Sequence, residues 1–180
     1  MTRVMIQAHG GTEALHFESA PIPEPGSGEV IVQLKTMALN HLDLWVRRGV
    51  EGHRFPLPLT PGCDGAGIVT SVGSGVDTSL LKQSVMLSPG FSCGECAFCE
   101  SNRDPLCKHY GILGETGHGT CAEYVRVQAS QCLPKPDSAS WEEAAAFSLS
   151  TLTSASMIEK ACLESGETLL VIAGTSGVGS

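Results

Sequence analysis

The chain has 180 residues, of which 42% are hydrophobic and 17% charged, and its formal charge at pH 7 is −8. This composition is typical of a soluble globular protein, and the 21 glycines disfavour a helix-dominated architecture. Because the acidic excess repels polyanions, nucleic acids and anionic membranes are excluded as expected partners.

The first eight residues lack the basic start, apolar stretch and cleavage site of a signal peptide. No apolar run approaches the roughly 18 residues that a membrane span requires. Eight cysteines in a chain without an export signal are expected to remain reduced, for metal binding, chemistry or packing. We therefore predict a cytoplasmic protein.

Short β-type runs separated by glycine and proline dominate the chain up to residue 135. They predict strands at 3–8, 29–38, 67–72, 84–88 and 122–127. One short helix is predicted between Asn40 and Arg48, with Gly49 ending it. The fold class predicted for this part is mainly β, as a small barrel or sandwich.

Four cysteines follow with the spacing Cys93-x2-Cys96-x2-Cys99-x7-Cys107. This spacing predicts one zinc ion held by four thiolates, and four protein ligands leave no position for substrate or water. The predicted role is therefore structural. The alternative is two disulfides or unused thiols, which a reducing compartment disfavours. His109 and His118 lie nearby as spare ligands and are left out of the predicted set.

After residue 135 the pattern becomes helical, with segments predicted at 141–147 and 150–162 and a cap at Asp137 or Ser138. An apolar strand is predicted at 167–173. The glycines that follow it, Gly174, Gly177 and Gly179, are typical of the start of a nucleotide-binding βαβ unit. Since a parallel strand needs a crossover and a neighbour, we predict a fragment that lacks most of a second domain.

These features resemble the medium-chain dehydrogenase/reductase superfamily, which includes zinc alcohol dehydrogenases and quinone reductases. The cysteine spacing is similar to its structural zinc lobe. The stretch 61–67, Pro-Gly-Cys-Asp-Gly-Ala-Gly, is similar to its signature after the first barrel strands, and residues 40–49 resemble its active-site helix.

The resemblance implies a GroES-like catalytic domain at 1–135, with the zinc lobe at 91–110. Residues 136–180 would form linking helices and the first strand of a truncated α/β Rossmann domain that binds NAD or NADP. Thr153 and the three glycines at 174, 177 and 179 would contact the cofactor. For Thr153 the alternative is a hydroxyl bonded to its own helix backbone. The resemblance also implies a homo-oligomer, commonly a dimer.

The chain departs from the zinc alcohol dehydrogenases at the catalytic zinc. Those enzymes place Cys where this chain has Asn40, His-Glu where it has Cys63-Asp64, and Cys or an acidic residue near Leu149. A catalytic zinc needs three protein ligands, so we predict none here. The alternative is a rearranged site that recruits His41 or His53.

The predicted catalytic residues are Asn40, Asp43, Cys63 and Asp64. Without a Lewis acid, hydride transfer favours substrates that spread negative charge by conjugation, so the predicted substrates are quinones, enones or related carbonyl compounds. For Asn40 and Asp43 the alternative is helix capping. For Cys63 it is simple packing. For Asp64 the alternative is a structural role, in which the carboxylate supports neighbouring backbone or an arginine.

Two other functions stay open at this point. One is a zinc-dependent alcohol dehydrogenase with atypical ligands. The other is a non-catalytic, zinc-stabilised module, since a chain without the Rossmann sheet has no surface for the pyrophosphate.

Overall fold

The computed structural model of the protein describes residues 1–180 and is mainly β, as predicted. The strands are β1 (Thr2–Ile6), β2 (Leu15–Ser19), β3 (Glu29–Ala38), β4 (Asp64–Val72), β5 (Ser84–Leu87), β6 (Gly90–Phe91), β7 (Gly111–Ile112), β8 (Tyr124–Gln128) and β9 (Cys132–Pro134). The α-helices are α1 (His41–Arg48), α2 (Ala97–Glu100) and α3 (Trp141–Ala161). Short 3₁₀ turns occur at Thr12–Ala14, Thr78–Leu80, Asp104–Leu106 and Ala129–Gln131. None of the helices combines the length and apolar character that crossing a membrane requires.

The central sheet has five strands in the order β8-β3-β4-β5-β9, and every neighbouring pair is antiparallel. Two register shifts interrupt the β3–β4 pairing, between Ile31 and Val32 and between Leu34 and Thr36. Such irregularities bend a strand and increase its twist. Strands β1 and β2 form a separate hairpin, which contacts the chain near the sheet through an isolated bridge between Arg3 and Ala122.

The main core lies on one face of the sheet, because alternate residues of a strand point to the same side. Its eight buried members are Val30, Val32, Val69, Val85, Leu87, Leu113, Val125 and Val127. β-branched valine predominates, which suits a pleated and closely packed surface. A smaller cluster of Ile6, Val46 and Leu59 holds α1 against the N-terminal strand.

Helix α1 confirms the prediction for residues 40–49. Asn40 is the N-cap in extended backbone, and its N–H donates to Oδ2 of Asp43 at 2.7 Å. Gly49 ends the helix with φ +80°, a conformation that glycine adopts without steric cost. Both boundaries are set by residues within the helix or next to it.

Helix α3 corrects two predictions. It is one continuous helix rather than two, and its cap is Ser140, whose Oγ accepts from the N–H of Glu143 at 3.1 Å. Serines in its middle do not break it, since the hydroxyl of Ser150 donates to the carbonyl of Ala146 within the same helix. Small side chains at Ala144 and Ala145 pack closely against the sheet. The domain boundary at residue 136 stays a prediction.

The strand prediction for 167–173 is wrong, because these residues form no strand. Leu170 and Ile172 are 83% and 87% exposed, and no other strand lies beside them to pair with their backbone. The glycine turn after them contacts α3, where the hydroxyl of Ser154 donates to the carbonyl of Val178 at 2.7 Å. Four strands that do form, β2, β6, β7 and β9, were not predicted, and β4 begins earlier than expected, at Asp64.

Candidate functional site

The four lobe cysteines come together in one cage. Their ligand atoms all lie within 4.8 Å of one another. The Sγ of Cys93 is 3.8 Å from that of Cys99 and 3.5 Å from that of Cys107, and the Sγ atoms of Cys96 and Cys99 are 3.5 Å apart. A tetrahedral zinc ion with Zn–S bonds of about 2.3 Å places its sulfurs about 3.8 Å apart. The cage therefore fits one zinc ion.

Local hydrogen bonds hold this cage in shape. The N–H of His109 donates to Sγ of Cys107 at 3.3 Å, and Ser92 Oγ lies 3.4 Å from Sγ of Cys99. The hydroxyl of Ser92 in turn donates to a carboxylate oxygen of Asp104 at 3.1 Å. Backbone N–H groups at Cys93 and His109 hold the pKa of the Cys107 thiol below its usual range. The hydrogen bond with Ser92 lowers the pKa of the Cys99 thiol, but desolvation and the neighbouring thiols outweigh it, so that this pKa is raised.

The two spare histidines do not join the cage. His109 supplies only its backbone N–H. His118 lies elsewhere, where its Nδ1 accepts from the N–H of Thr60 at 3.1 Å. Across residues 1–180, these four cysteines form the one group of three or more metal-ligating side chains.

A second cluster lies where α1 begins and β4 begins. Because Ala38 of β3 pairs with Asp64 of β4, residue 40 comes to lie beside residues 63 and 64. The Nδ2 of Asn40 donates to Oδ2 of Asp64 at 2.9 Å and to Sγ of Cys63 at 3.3 Å. The structure thus brings together three of the predicted catalytic residues.

Asp43 joins this cluster through the backbone. Its Oδ2 accepts from the N–H of Asn40 at 2.7 Å, and its Oδ1 accepts from the N–H of Gly62 at 2.9 Å. One buried carboxylate therefore ties the first turn of α1 to the segment that leads into β4. The capping alternative is confirmed for Asp43, and Asn40 is the N-cap residue.

Helix α3 closes the cluster from a third side. The N–H of Leu149 donates to Oδ1 of Asp64 at 3.1 Å. Asp64 thus receives hydrogen bonds from Asn40 on one oxygen and from α3 on the other. Residues 40, 63, 64 and 149 converge, although they belong to three separate parts of the chain.

Burial controls the protonation of this cluster. Asp64 is 1% exposed and Asp43 is 7% exposed, and neither forms a salt bridge. Desolvation raises the pKa of Asp64 to about 6, against the opposing hydrogen bonds from Asn40 and Leu149, and it also raises the pKa of Asp43. Desolvation and the two carboxylates raise the pKa of Cys63 far above its usual value. Cys63 is therefore a neutral thiol at pH 7 and a poor nucleophile.

The residues of this cluster do not fit a catalytic zinc ion. They offer one thiol and two carboxylates, which do not come together as a group of three ligand atoms, while Leu149 has no ligand atom. The alternative ligands are engaged elsewhere: His41 packs edge-on against Trp45, and Nε2 of His53 lies 3.6 Å from Oε1 of Glu115. Three protein ligands are the usual minimum for a catalytic zinc.

The predicted cofactor residues are not assembled into a nucleotide site within this chain. Thr153 is exposed, and its hydroxyl donates to the carbonyl of Leu149 at 2.8 Å, as the alternative for this residue states. Gly174, Gly177 and Gly179 lie in the exposed C-terminal turns. Their role toward a cofactor stays a prediction.

Sequence reasoning missed two functional groups, the backbone N–H groups of Gly62 and Leu149. A backbone donor has no side-chain signature, so its role depends on where the chain places it. The one available signal was the run Gly62-Cys-Asp-Gly65. Gly62 adopts φ +97°, and a Cβ there would meet Thr120 and Cys121.

The buried Asp64 leads to a prediction on pH. The pKa of Asp64 in the folded protein, about 6, lies above its ordinary value of 3.8. Between these two pH values the native state holds a proton that the unfolded state has released. The free energy of unfolding therefore falls as the pH rises through 6. From about pH 5.5 to 7.5, the free energy of unfolding of the wild type should fall by about 1 kcal/mol relative to that of Asp64→Asn. Urea unfolding at both pH values, with zinc present, measures this. Equal slopes for the two proteins would contradict it.

Comparison with known proteins places this architecture in a family. Residues 26–137 match the family described as the alcohol dehydrogenase GroES-like domain. An alcohol dehydrogenase of Schizosaccharomyces pombe is 30% identical over 97% of this chain and 50% of its own length. An alcohol dehydrogenase of Geobacillus stearothermophilus is 32% identical over 92% of this chain and 49% of its own length. The chain thus spans about half the length of these curated relatives.

Solved structures agree with this assignment. A crystal structure of an NAD-dependent alcohol dehydrogenase is 47% identical, with a TM-score of 0.94 over 99% of this chain and 52% of that one. A cobalt- and zinc-bound thermostable alcohol dehydrogenase from Pyrobaculum aerophilum is 31% identical, with a TM-score of 0.89 over 99% of this chain and 54% of that one.

The relatives do not support the predicted quinone and enone substrates. They are named alcohol dehydrogenases, so the alternative stated from the sequence fits the comparisons better. The matched residues, the antiparallel sheet and the cysteine cage agree with the resemblance seen in the sequence. The chain belongs to the alcohol dehydrogenase GroES-like domain family, and with it to the zinc-type alcohol dehydrogenase-like branch of the medium-chain dehydrogenase/reductase superfamily.

Proposed function

We propose that the whole protein is an NAD-dependent oxidoreductase that transfers hydride between the nicotinamide and a small-molecule pair of alcohol and carbonyl compound. The observation that carries this proposal is the similarity to an NAD-dependent alcohol dehydrogenase, at 47% identity and a TM-score of 0.94 across 99% of the chain. The superposed region includes both the cysteine cage and the cluster around Asn40. The homodimer and the cytoplasmic location stay predictions.

Within that protein, we assign one structural zinc ion to the cysteine cage. The sulfur spacings support this assignment, since they match a tetrahedral ion. Four thiolates leave no open coordination position, so the ion stabilises the lobe and takes no part in hydride transfer.

The cluster around Asn40 is the proposed reaction site. Asn40 is partly exposed, whereas Asp43, Cys63 and Asp64 are buried. The buried carboxylates accept from the backbone N–H and the side-chain amide of Asn40, and so they fix its position beside the buried part of the cluster. Asn40 is therefore the group placed to contact substrate or nicotinamide, and Asp43 and Asp64 are positioning residues.

NAD supplies the hydride acceptor and donor when bound. Thr153 and the three glycines of the C-terminal turn are the residues of this chain assigned to hold it. In the 180-residue chain the segment 167–173 forms no strand, so the floor that a nucleotide-binding sheet provides is missing. As an isolated piece, the chain is proposed to act only as a zinc-stabilised module with very weak affinity for the cofactor.

The test compares a protein of the relatives' full length with the 180-residue chain. Absorbance of the reduced nicotinamide is followed with primary and secondary alcohols, with aldehydes and ketones, and separately with quinones and enones. We expect alcohol oxidation and carbonyl reduction by the long protein and neither reaction by the short chain. Turnover of quinones and enones alone would contradict the proposed substrates, and the absence of NAD binding by the long protein would contradict the proposed function.

A further inference from the structure

We infer that the amide of Asn40 takes the place of a metal ion in the proposed reaction site, so that each chain binds one zinc ion, in the cysteine cage, and none at the reaction site. The inference refines the reaction site proposed above. Its test counts metal ions and does not depend on turnover.

The hydrogen bonds of the Asn40 amide fix its orientation. An ionised carboxylate only accepts hydrogen bonds, so the group that faces Oδ2 of Asp64 at 2.9 Å has to be the NH₂ and not the oxygen. The same nitrogen lies 3.3 Å from Sγ of Cys63. Both amide protons therefore point at the two groups that would otherwise coordinate a cation, and their partial positive charge repels one.

The ligand atoms of Asp64 and Cys63 are also poorly suited to bind a zinc ion. Both oxygens of Asp64 already accept hydrogen bonds, one from Asn40 and one from the N–H of Leu149 at 3.1 Å. A zinc ion binds the thiolate form of cysteine, but the Cys63 thiol is buried beside the Asp43 and Asp64 carboxylates, which disfavour a further negative charge. Binding zinc here would break hydrogen bonds and ionise Cys63. Asp43 does not serve as a third ligand, because both its oxygens accept from backbone N–H groups and it forms no metal-binding group with Cys63 and Asp64.

Hydrogen-bond donors then take over the role of a metal ion in the chemistry of this site. Without a metal ion, negative charge that develops on a substrate oxygen is stabilised by hydrogen-bond donors. Among the polar side chains of this cluster, that of Asn40 is the one that is not buried. Its amide thus excludes the metal and also supplies the polar contact at the proposed reaction site.

The test measures zinc per chain by mass spectrometry, after purification with zinc and dialysis. We expect one zinc ion in the wild type and two in the double variant Asn40→Cys/Leu149→Cys, which adds two thiols beside Cys63. The matched control is Leu44→Cys/Leu152→Cys, which also adds one thiol to α1 and one to α3, at exposed positions. The control should keep one ion.

Removal of the cage ion gives an independent count. Cys99→Ser should contain no zinc if the proposed reaction site binds none. Two ions in the wild type, or one ion in Cys99→Ser that Cys63→Ser then removes, would overturn the inference. A folded double variant with a single ion would show that Asn40 is not what excludes the metal. If the double variant does not fold, the counts in the wild type and Cys99→Ser decide the question.

Discussion

Cys99→Ser is expected to lose the zinc ion and unfold the cysteine lobe, while the central sheet stays folded. The lobe has little apolar packing of its own: Phe98 and Leu106 are 37% and 56% exposed, and the strands β6 and β7 have two residues each. Metal binding therefore supplies most of its folding free energy, which in zinc-finger peptides is about 10 kcal/mol or more. Hydrogen exchange read segment by segment measures the loss of protection at residues 91–112.

The control for this variant is Cys162→Ser, which removes an exposed cysteine that lies outside the cage. It should keep the zinc ion and the protection of the lobe. A chelator applied to the wild type should reproduce the exchange pattern of Cys99→Ser. Full protection of residues 91–112 in a zinc-free protein would show that the lobe folds without metal.

Asp43→Ala is expected to lower the free energy of unfolding by about 2 kcal/mol. Its carboxylate accepts from the N–H groups of Asn40 and Gly62, and the variant leaves both donors unpaired near the buried cluster. The expected loss is smaller than the contribution of two hydrogen bonds to a charged group, because the variant also removes the cost of burying the Asp43 charge. In the wild type that cost is what raises the pKa of Asp43. Urea unfolding with zinc present measures the difference.

Two further variants serve as comparisons for Asp43→Ala. Asp43→Asn keeps one acceptor oxygen and should lose less stability than Asp43→Ala. Asp137→Ala removes an exposed carboxylate and should change stability by less than about 0.5 kcal/mol. If Asp43→Ala is as stable as Asp137→Ala, then Asp43 does not link α1 to the segment before β4.

The predicted substrate class, which the relatives do not support, went beyond the residues that suggested it. The residues at Asn40 and Leu149 bear only on whether a metal ion binds. The step from the absence of a metal to conjugated substrates was a further assumption. Hydrogen-bond donors also stabilise charge on an oxygen, so the donor set alone does not select quinones over simpler carbonyl compounds.

Features that depend on short-range spacing were determined by the sequence itself. The four cage cysteines lie within one short segment, so their spacing alone is enough to predict a tetrahedral site. Helix α1 was predicted with its ends because Asn40 and Gly49 set its caps locally.

Only the tertiary structure decided the features that need partners distant in the chain. The pairing of Ala38 with Asp64 and the packing of α3 on the sheet bring Asn40, Asp64 and the N–H of Leu149 together. The apolar run 167–173 resembles a buried strand, yet it forms none in this chain because a strand's backbone needs a neighbouring strand for its hydrogen bonds. Burial, which sets the protonation of Asp64 and Cys63, likewise arises only when these segments pack.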